Sequence, residues 1–497
     1  MMWGIMRKLA GADYILVPIL ALAFYIAFIP HLGYPYAVHI DEWEQIAYSE
    51  AVLRAGDIHW TNPFLGHVER GPVALLEVGY RILIGVFHKL SGISWMNIAR
   101  YFPSALFVVT VSSVYIFTRR MGFGWEAAFF TALIPTTVGI LGPAFLVPVA
   151  LGLTFIPLCL FVAFNYKSVR SYVVLGLLMS FLVIMHAPSA VLLTLILFPF
   201  ILFGLRSDFK HSLGVMLAIA LPLIVSLPWT SGMVLSEVKS LAVAKEPLLH
   251  HDLLSLRSDY GLWPIVLSLY GTFILAIKSS RINYSLVASL LFLLATLAIF
   301  YSLHYGTDKL YLRGLLYTML LMGTVAGAGL LALRKLELPG MAAIKAKSPV
   351  LMRTIGILLC LVVVGGTLVT VVPARQAILY YHMIDKDDYE AFVWIRDNVN
   401  ASYQTAIVDP WKATAFTAVT GKQVYTRIVL SPEPSDERAL DFIRTGSKDT
   451  GFLVENRITI VYTRTFDGQA NTDFGSQNPN LLEVRRNIYL LKPASAQ

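Results

Sequence analysis

Long apolar runs alternate with short polar connections along the first three quarters of this chain. Runs that approach or exceed the length needed to cross a ~30 Å hydrocarbon layer recur at 14–30, 99–118, 124–141, 143–164, 171–187, 189–205, 211–229, 263–277, 283–302, 313–333 and 354–373. The pattern predicts eleven transmembrane helices. The stretch 72–90, PVALLEVGYRILIGVFHKL, is broken by Glu77, Arg81, His88 and Lys89, and predicts a helix lying in the membrane interface instead. After Pro373 the apolar runs stop. There "KDDYEAFVWIRDNV" (386–399) and "SDERALDFIRTG" (435–446) carry helical signals, the second ending at Gly446. "QTAIVD" (404–409), "KQVYTRIVL" (422–430), "RITIVYTR" (457–464) and "NIYLLK" (487–492) read as strands.

The connections between runs differ in charge, and that difference sets an orientation. With the N-terminus inside, the inner loops hold fifteen basic residues against three acids, Asp13, Asp208 and Glu337. The outer loops 31–98, 230–262 and 303–312 hold eight basic residues and twelve acids. Counting 72–90 as a crossing would invert every later loop and destroy this positive-inside bias. Arg7 and Lys8 precede the first run, and no small-x-small cleavage site follows before Pro30. An uncleaved anchor is therefore expected. The expected organisation is a transmembrane domain over 1–373, with interfacial helices in the external loop 31–98, and an external soluble α/β domain over 374–497.

Composition agrees with a polytopic membrane protein. Of 497 residues, 57% are hydrophobic and only 14% charged, and mean hydropathy is +0.66. These values exclude an ordinary soluble enzyme. The net charge of +8 falls mostly in short loops between runs, so it argues for membrane orientation and not for a nucleic-acid partner. Cys159 and Cys360 both lie inside apolar runs, which excludes a disulfide framework for the external domain. Asn400-Ala-Ser402 is a glycosylation sequon in that domain.

The candidate chemistry lies outside the runs. "HIDEWEQIAYSEAVLRAGD" (39–57) concentrates acids immediately after the first helix. Glu44, Glu50 and Asp57 suit the wet face of an interfacial helix. Asp41 and Glu42, at the mouth of helix 1, suit a general base for a hydroxyl or hard oxygen ligands for a divalent cation, Mg or Mn. In "HYGTDKLYLRGLLYTML" (304–320), Arg313 presents a fork of donors for a lipid-linked phosphate, with Lys309 adding charge. A snorkelling arginine is the plainer reading of the same position. Glu69, Arg70, His304 and Tyr311 are further candidate substrate contacts. His250, His251 and Asp252 are the weaker metal candidates, because adjacent histidines seldom share one ion.

These stretches carry a resemblance. "DEWEQIAYSEAVLRAGDIHWTNPFLGHVERGP" and "YLRGLLY" resemble motifs of the GT-C superfamily of integral-membrane glycosyltransferases, especially prokaryotic relatives of the protein mannosyltransferases and of the lipid A aminoarabinose transferases. The resemblance implies a sugar donor linked to polyprenyl (dolichyl or undecaprenyl) phosphate and a lipid, glycan or protein acceptor. It also implies a prokaryotic cell membrane, with Asp41 as catalytic carboxylate, Glu42 as its companion and Arg313 on the donor phosphate. Transfer would be an inverting single displacement on the external face. The chain departs from the oligosaccharyltransferase subunits of that superfamily. "DPWKATAFTAVTG" (409–421) stands where they carry Trp-Trp-Asp-Tyr-Gly, and "TTVGILGPAFLVP" (136–148) lacks their second acidic motif. A transporter or lipid-linked glycan flippase is the alternative from another class, and a non-catalytic scaffold the third. Charges confined to the ends of runs, and halves that do not mirror each other, weigh against transport.

Overall fold

A computed structural model describes residues 14–69, 77–137, 139–241, 255–278, 280–303, 308–336, 348–428, 432–446, 448–466, 474 and 479–492. The chain divides into two compact units. One comprises Met1–Leu32, Leu75–Tyr80 and Arg100–Leu379; the other comprises Gly33–Ala74, Arg81–Ala99 and Tyr380–Gln497. The first-loop segments thus cluster with the C-terminal segment.

Among the described residues, seven helices are long and apolar enough to cross a membrane, and the apolar segments Leu16–His31 and Leu262–Ile277 are shorter. One of the seven, Val169–Ser207, is a hairpin. A straight helix of its 39 residues would be about 58 Å long at 1.5 Å per residue. Yet Lys167, before its start, lies 2.6 Å from the Asp208 carboxylate just past its end. Just beyond, the His211 Nε2 lies 2.9 Å from the Ala163 carbonyl. The chain therefore reverses at His186, the one internal residue with non-helical dihedrals (φ −160°, ψ 88°). Pro188, with no N–H and a restricting effect on its predecessor, reinforces the break. The two arms match the separate runs expected at 171–187 and 189–205.

The Asp308–Arg334 helix is the hub of this unit, and its apolar window is wholly buried. Glycines let neighbouring backbones approach it. Gly327 rests on the backbone of Ala127, Gly323 faces the Thr131 amide, and Gly329 meets the Leu267 carbonyl. Small residues of this kind are what close helix packing in lipid requires. Near its end Arg334 pairs with the buried Glu126 carboxylate at 2.7 Å, so neither charge sits alone in an apolar setting.

The run expected to be helical over 124–141 is helical only over Gly124–Thr131. Residues 132–137 and 139–147 continue without regular helix, and nearly all are buried. Pro135, Gly139, Gly142 and Pro143 explain the break. Irregular backbone in an apolar surrounding needs partners for its polar groups. Arg375 donates to the Leu133 carbonyl at 2.9 Å and Arg313 to the Ile140 carbonyl at 2.8 Å. The Thr136 hydroxyl accepts from the Ala144 amide at 2.9 Å. A β-carbon on Gly142 would collide with the Pro135 carbonyl and the backbone of Thr136.

The second unit carries a five-stranded sheet in the order β2-β1-β3-β5-β4, from β1 (Thr405–Ile407), β2 (Gln423–Val424), β3 (Ile458–Tyr462), β4 (Leu481–Arg485) and β5 (Ile488–Leu491). β1 is parallel to β2 and to β3, while β5 is antiparallel to both β3 and β4. Ile458 and Val461 join Phe442, Phe452, Leu453 and Tyr489 in one core, and the pairing of β1 with β3 shifts register between Ile458 and Ile460. The expected helices appear as Lys386–Asn398 and Pro434–Thr445. The first opens with a reciprocal Asp385/Asp388 cap, and the second ends at Gly446 with φ +62°. Of the strand expected over 422–430, the described residues 422–428 are strand at β2 alone, and 429–430 lie outside the described residues. β4 and the helices Ala413–Thr420 and Thr450–Glu455 are additions to the expectation.

Candidate functional site

The acidic stretch of the first loop forms the helix Ile40–Ala55 of the second unit. Its start assigns different work to its first acids. His39 is the N-cap, and its Nδ1 accepts the Asp41 amide at 3.1 Å. The Glu42 carboxylate, fully buried, accepts the amides of Val38 at 2.7 Å and His39 at 3.0 Å. Together these form a capping box, so the geometry gives Glu42 a structural role. Replacing it with Ala is expected to cost about 1–2 kcal/mol, read as a lowered thermal midpoint, while Glu42→Gln, which keeps an acceptor oxygen, should lose less. An unchanged midpoint in Glu42→Ala would remove the cap assignment.

Asp41 points elsewhere. Its side chain is 33% exposed, and the one basic side chain within 4 Å of its carboxylate among the described residues is His39, at 3.7 Å. Glu44, one turn along, forms an ion pair with Arg427. Arg427 also donates to the Tyr48 hydroxyl at 3.2 Å and lies over the Phe64 ring at 4.1 Å. Burial lowers its pKa to about 10, with the Asp41 charge acting in the opposite sense. Asp41, Glu44 and Tyr48 fall at helical spacing on one face, so this unit presents an open carboxylate beside a compensated Glu44–Arg427 pair.

The rest of the first-loop motif is a tight turn supporting that helix. The Asn62 side chain accepts the Phe64 and Leu65 amides at 2.9 and 3.2 Å and donates to Glu69 at 2.7 Å. His67 lies 3.1 Å from the same Glu69 oxygen. Glu69, a candidate substrate contact, is thus a fastener of this turn. Arg81 stacks over the Tyr48 ring at 4.2 Å and Trp60 at 5.3 Å, closing an aromatic layer behind the acidic face.

The segment 409–421 of this unit is occupied by structural contacts. Asp409 accepts the amides of Trp411 at 2.9 Å and Phe466 at 2.7 Å, and burial raises its pKa against those bonds. Lys412 reaches both Asp388 oxygens at 2.8 Å. Burial lowers the Lys412 pKa, with the Asp388 charge opposing. Burial also works to raise Asp385, but the Arg464 hydrogen bond and charge outweigh it and hold that carboxyl at about 2.

The first unit holds Arg313 and Tyr311. Tyr311 is buried and stacked on Tyr301 at 6.2 Å. Arg313 is half-buried and keeps part of its fork on the Ile140 carbonyl. One turn further along the same helix, the Tyr317 hydroxyl is hydrogen-bonded to the Ser189 hydroxyl. Ser189 in turn lies 2.5 Å from His186 Nδ1, and His186 Nε2 lies 3.8 Å from the Glu77 carboxylate. Sequence reasoning missed this chain and Arg427. The only local signal was a lone histidine before Ala-Pro in an apolar run. The candidates Arg70, His250, His251, Asp252 and His304, and the side chain of Lys309, lie outside the described residues. Among the described residues no group of three or more His, Cys, Asp or Glu side chains converges as a metal site.

No family model matches this sequence, and no curated protein matches it. Solved structures do match in fold. The Archaeoglobus fulgidus oligosaccharyltransferase AglB, in complex with an inhibitory peptide and a dolichol-phosphate, aligns at TM-score 0.58 and 12% identity, over 90% of this chain and 69% of that one. ArnT from Cupriavidus metallidurans, bound to undecaprenyl phosphate, aligns at TM-score 0.54 and 14% identity, over 91% and 96%. The mycobacterial arabinofuranosyltransferase AftD aligns at TM-score 0.57 and 15% identity, over 96% of this chain but 38% of that one. All three are GT-C membrane glycosyltransferases, so the chain has the GT-C fold.

Proposed function

We propose that the protein is a membrane glycosyltransferase that moves a sugar from a polyprenyl phosphate to an acceptor hydroxyl at the outer face of a prokaryotic cell membrane. The observation that carries this reading is Asp41, an open carboxylate on the first-loop helix of a GT-C fold whose neighbouring acids are otherwise engaged. Two structures of that fold hold a polyprenyl phosphate, dolichol-phosphate in AglB and undecaprenyl phosphate in ArnT. In this reading the N-terminus is inside and the α/β segment outside, as the loop charges argue.

The reaction is a single displacement. The acceptor oxygen forms a bond to the anomeric carbon as the bond from that carbon to the phosphate oxygen breaks, which inverts the configuration. Asp41 takes the acceptor proton, and the electron pair leaves with the lipid phosphate. Proton transfer to a positioned base supplies ~10²–10⁴ in rate. The role assigned to Arg313 is to bind the phosphate and stabilise its growing charge. Glu42 serves as a positioning residue through the helix cap. The residues of 136–148 offer no carboxylate or imidazole to a divalent cation, so no step is assigned to one.

The test is incubation of purified protein with a panel of polyprenyl-phosphate sugars in detergent or liposomes, following donor consumption. Release of polyprenyl phosphate with an inverted glycoside is expected for at least one donor. Liposome flux of a lipid-linked sugar without any transfer would replace this reading with a flippase.

A further inference from the structure

The C-terminal end of the Trp95–Arg119 helix borders a pocket of about 290 Å³, lined by Tyr115, Ile116, Arg119, Arg120 and Phe161. That volume lies at the lower edge of the ~300–1,000 Å³ of small-molecule sites, which suits a lipid headgroup and not a whole lipid. The turn that follows fixes the pocket's shape. The Met121 and Phe123 amides donate to the Thr118 carbonyl at 2.9 and 3.3 Å, and the Gly122 amide donates to the Arg119 carbonyl at 3.1 Å. Gly122 takes φ +92°, a conformation that glycine adopts without strain. Backbone amides thus cap these last carbonyls, and the two arginines are not needed for that purpose.

Rings hold both arginines. Arg119 lies over the Tyr115 ring at 5.6 Å. Arg120 lies over the Phe161 and Tyr166 rings, each at 5.7 Å, and donates to the Tyr166 hydroxyl at 3.2 Å. Stacking uses the face of a guanidinium and leaves donors in its plane for an anion. Three other basic side chains of the inner loops are engaged by carboxylates. Lys167 and Arg281 lie 2.6 and 3.6 Å from Asp208, and Arg334 lies 2.7 Å from Glu126. Arg120 pairs with no carboxylate among the described residues. Beside the arginines runs an exposed apolar stripe, Ala105, Val109 and Ile116, at helical spacing on one face. It extends ~16 Å at 1.5 Å per residue, about one leaflet of a ~30 Å hydrocarbon layer.

We propose that this end of the helix holds one anionic glycerophospholipid, its phosphodiester engaged by Arg119 and Arg120 and an acyl chain laid along Ala105, Val109 and Ile116. Charge complementarity selects the headgroup, because two guanidinium forks offer in-plane donors to phosphate oxygens. The apolar stripe of one-leaflet length selects a lipid over a free phosphate. Loop charges argue that this end lies inside, where membrane surfaces carry negative potential. Scattered basic residues would attract anionic lipid diffusely, whereas a pocket of headgroup size saturates. The site goes beyond the proposed sugar transfer and uses none of its residues, so either can fail without the other.

The experiment is native mass spectrometry of the purified full chain, released from phosphatidylcholine nanodiscs containing a rising fraction of phosphatidylglycerol. Wild type should retain one phosphatidylglycerol, with occupancy that saturates. Arg119→Gln combined with Arg120→Gln should weaken retention by ~10–30-fold. Arg353→Gln, at an exposed basic position in the first turns of the Pro349–Gln376 helix, should leave it unchanged. Should the double glutamine variant fail to fold, Arg119→Lys with Arg120→Lys decides. It keeps the loop charge but loses the forks, so retention should fall several-fold. Retention equal to wild type in the variant that folds, an equal loss in Arg353→Gln, or occupancy that never saturates would overturn the site in favour of diffuse attraction. Glycerophosphoglycerol, the same headgroup without chains, is the second probe. It should not displace the lipid at equal concentration, and displacement would overturn the lipid assignment in favour of a free phosphodiester.

Discussion

Asp41→Asn is expected to reduce sugar transfer by ~10²–10⁴-fold with no fall in thermal midpoint. The amide has the shape of the carboxylate but cannot take a proton from an acceptor hydroxyl at neutral pH. The structure isolates that chemical change. The side chain of Asp41 caps no amide among the described residues, the capping role belongs to His39 and Glu42, and one third of its surface is open. The measurement is turnover with a consumed donor, alongside a melting curve of the same preparation. Near-normal turnover would remove Asp41 as the base. Lost turnover with a lowered midpoint would mean that the residue supports the helix instead.

Lys412→Met is expected to produce the largest loss of stability, about 3 kcal/mol. Both members of the Lys412–Asp388 pair are 2% exposed, and removing one charge leaves the other buried. The Asp388 carboxylate would keep the Tyr462 hydroxyl at 2.7 Å and Arg464 at 3.1 Å, which places the cost at the lower end of the usual range for breaking such a pair. Chemical or thermal unfolding of the full chain reads it. Adding Asp388→Asn removes the orphaned charge but retains an acceptor for the Asp385 amide, so the double variant should recover much of the loss. A double variant no more stable than Lys412→Met would show that packing around the lysine stem, not its charge, carries the effect.

The membrane helices were legible because hydropathy is a local property and most runs fall on a helix. Apolar composition was not sufficient over 124–141, where Pro135, Gly139, Gly142 and Pro143 break the helix while leaving the hydropathy intact. That segment holds together through Arg313 and Arg375, whose partners lie 173 and 242 positions away. β4 escaped notice because it is a short edge strand. It is joined to β5 by a turn in which Asn487 takes φ +66°, a conformation asparagine tolerates.

The candidate chemistry was legible as composition and not as assignment. The acids of "DEWE" were visible, but nothing local separates an open Asp41 from a Glu42 engaged by two amides. The partner of Glu44 is Arg427, 383 positions away, inside a stretch that reads as strand. His186 looked like a solitary histidine because Glu77, Ser189 and Tyr317 gather around it only after the hairpin has closed.

The enclosed Asp308–Arg334 helix has a consequence for the surrounding lipid. Acyl chains cannot reach its apolar window, which is entirely covered, whereas the windows of Phe209–Pro228 and Pro349–Gln376 are each only 28% covered. When the bilayer thins or thickens, tilt and strain fall first on those peripheral helices. The central rod that carries Arg313 stays insulated from the change.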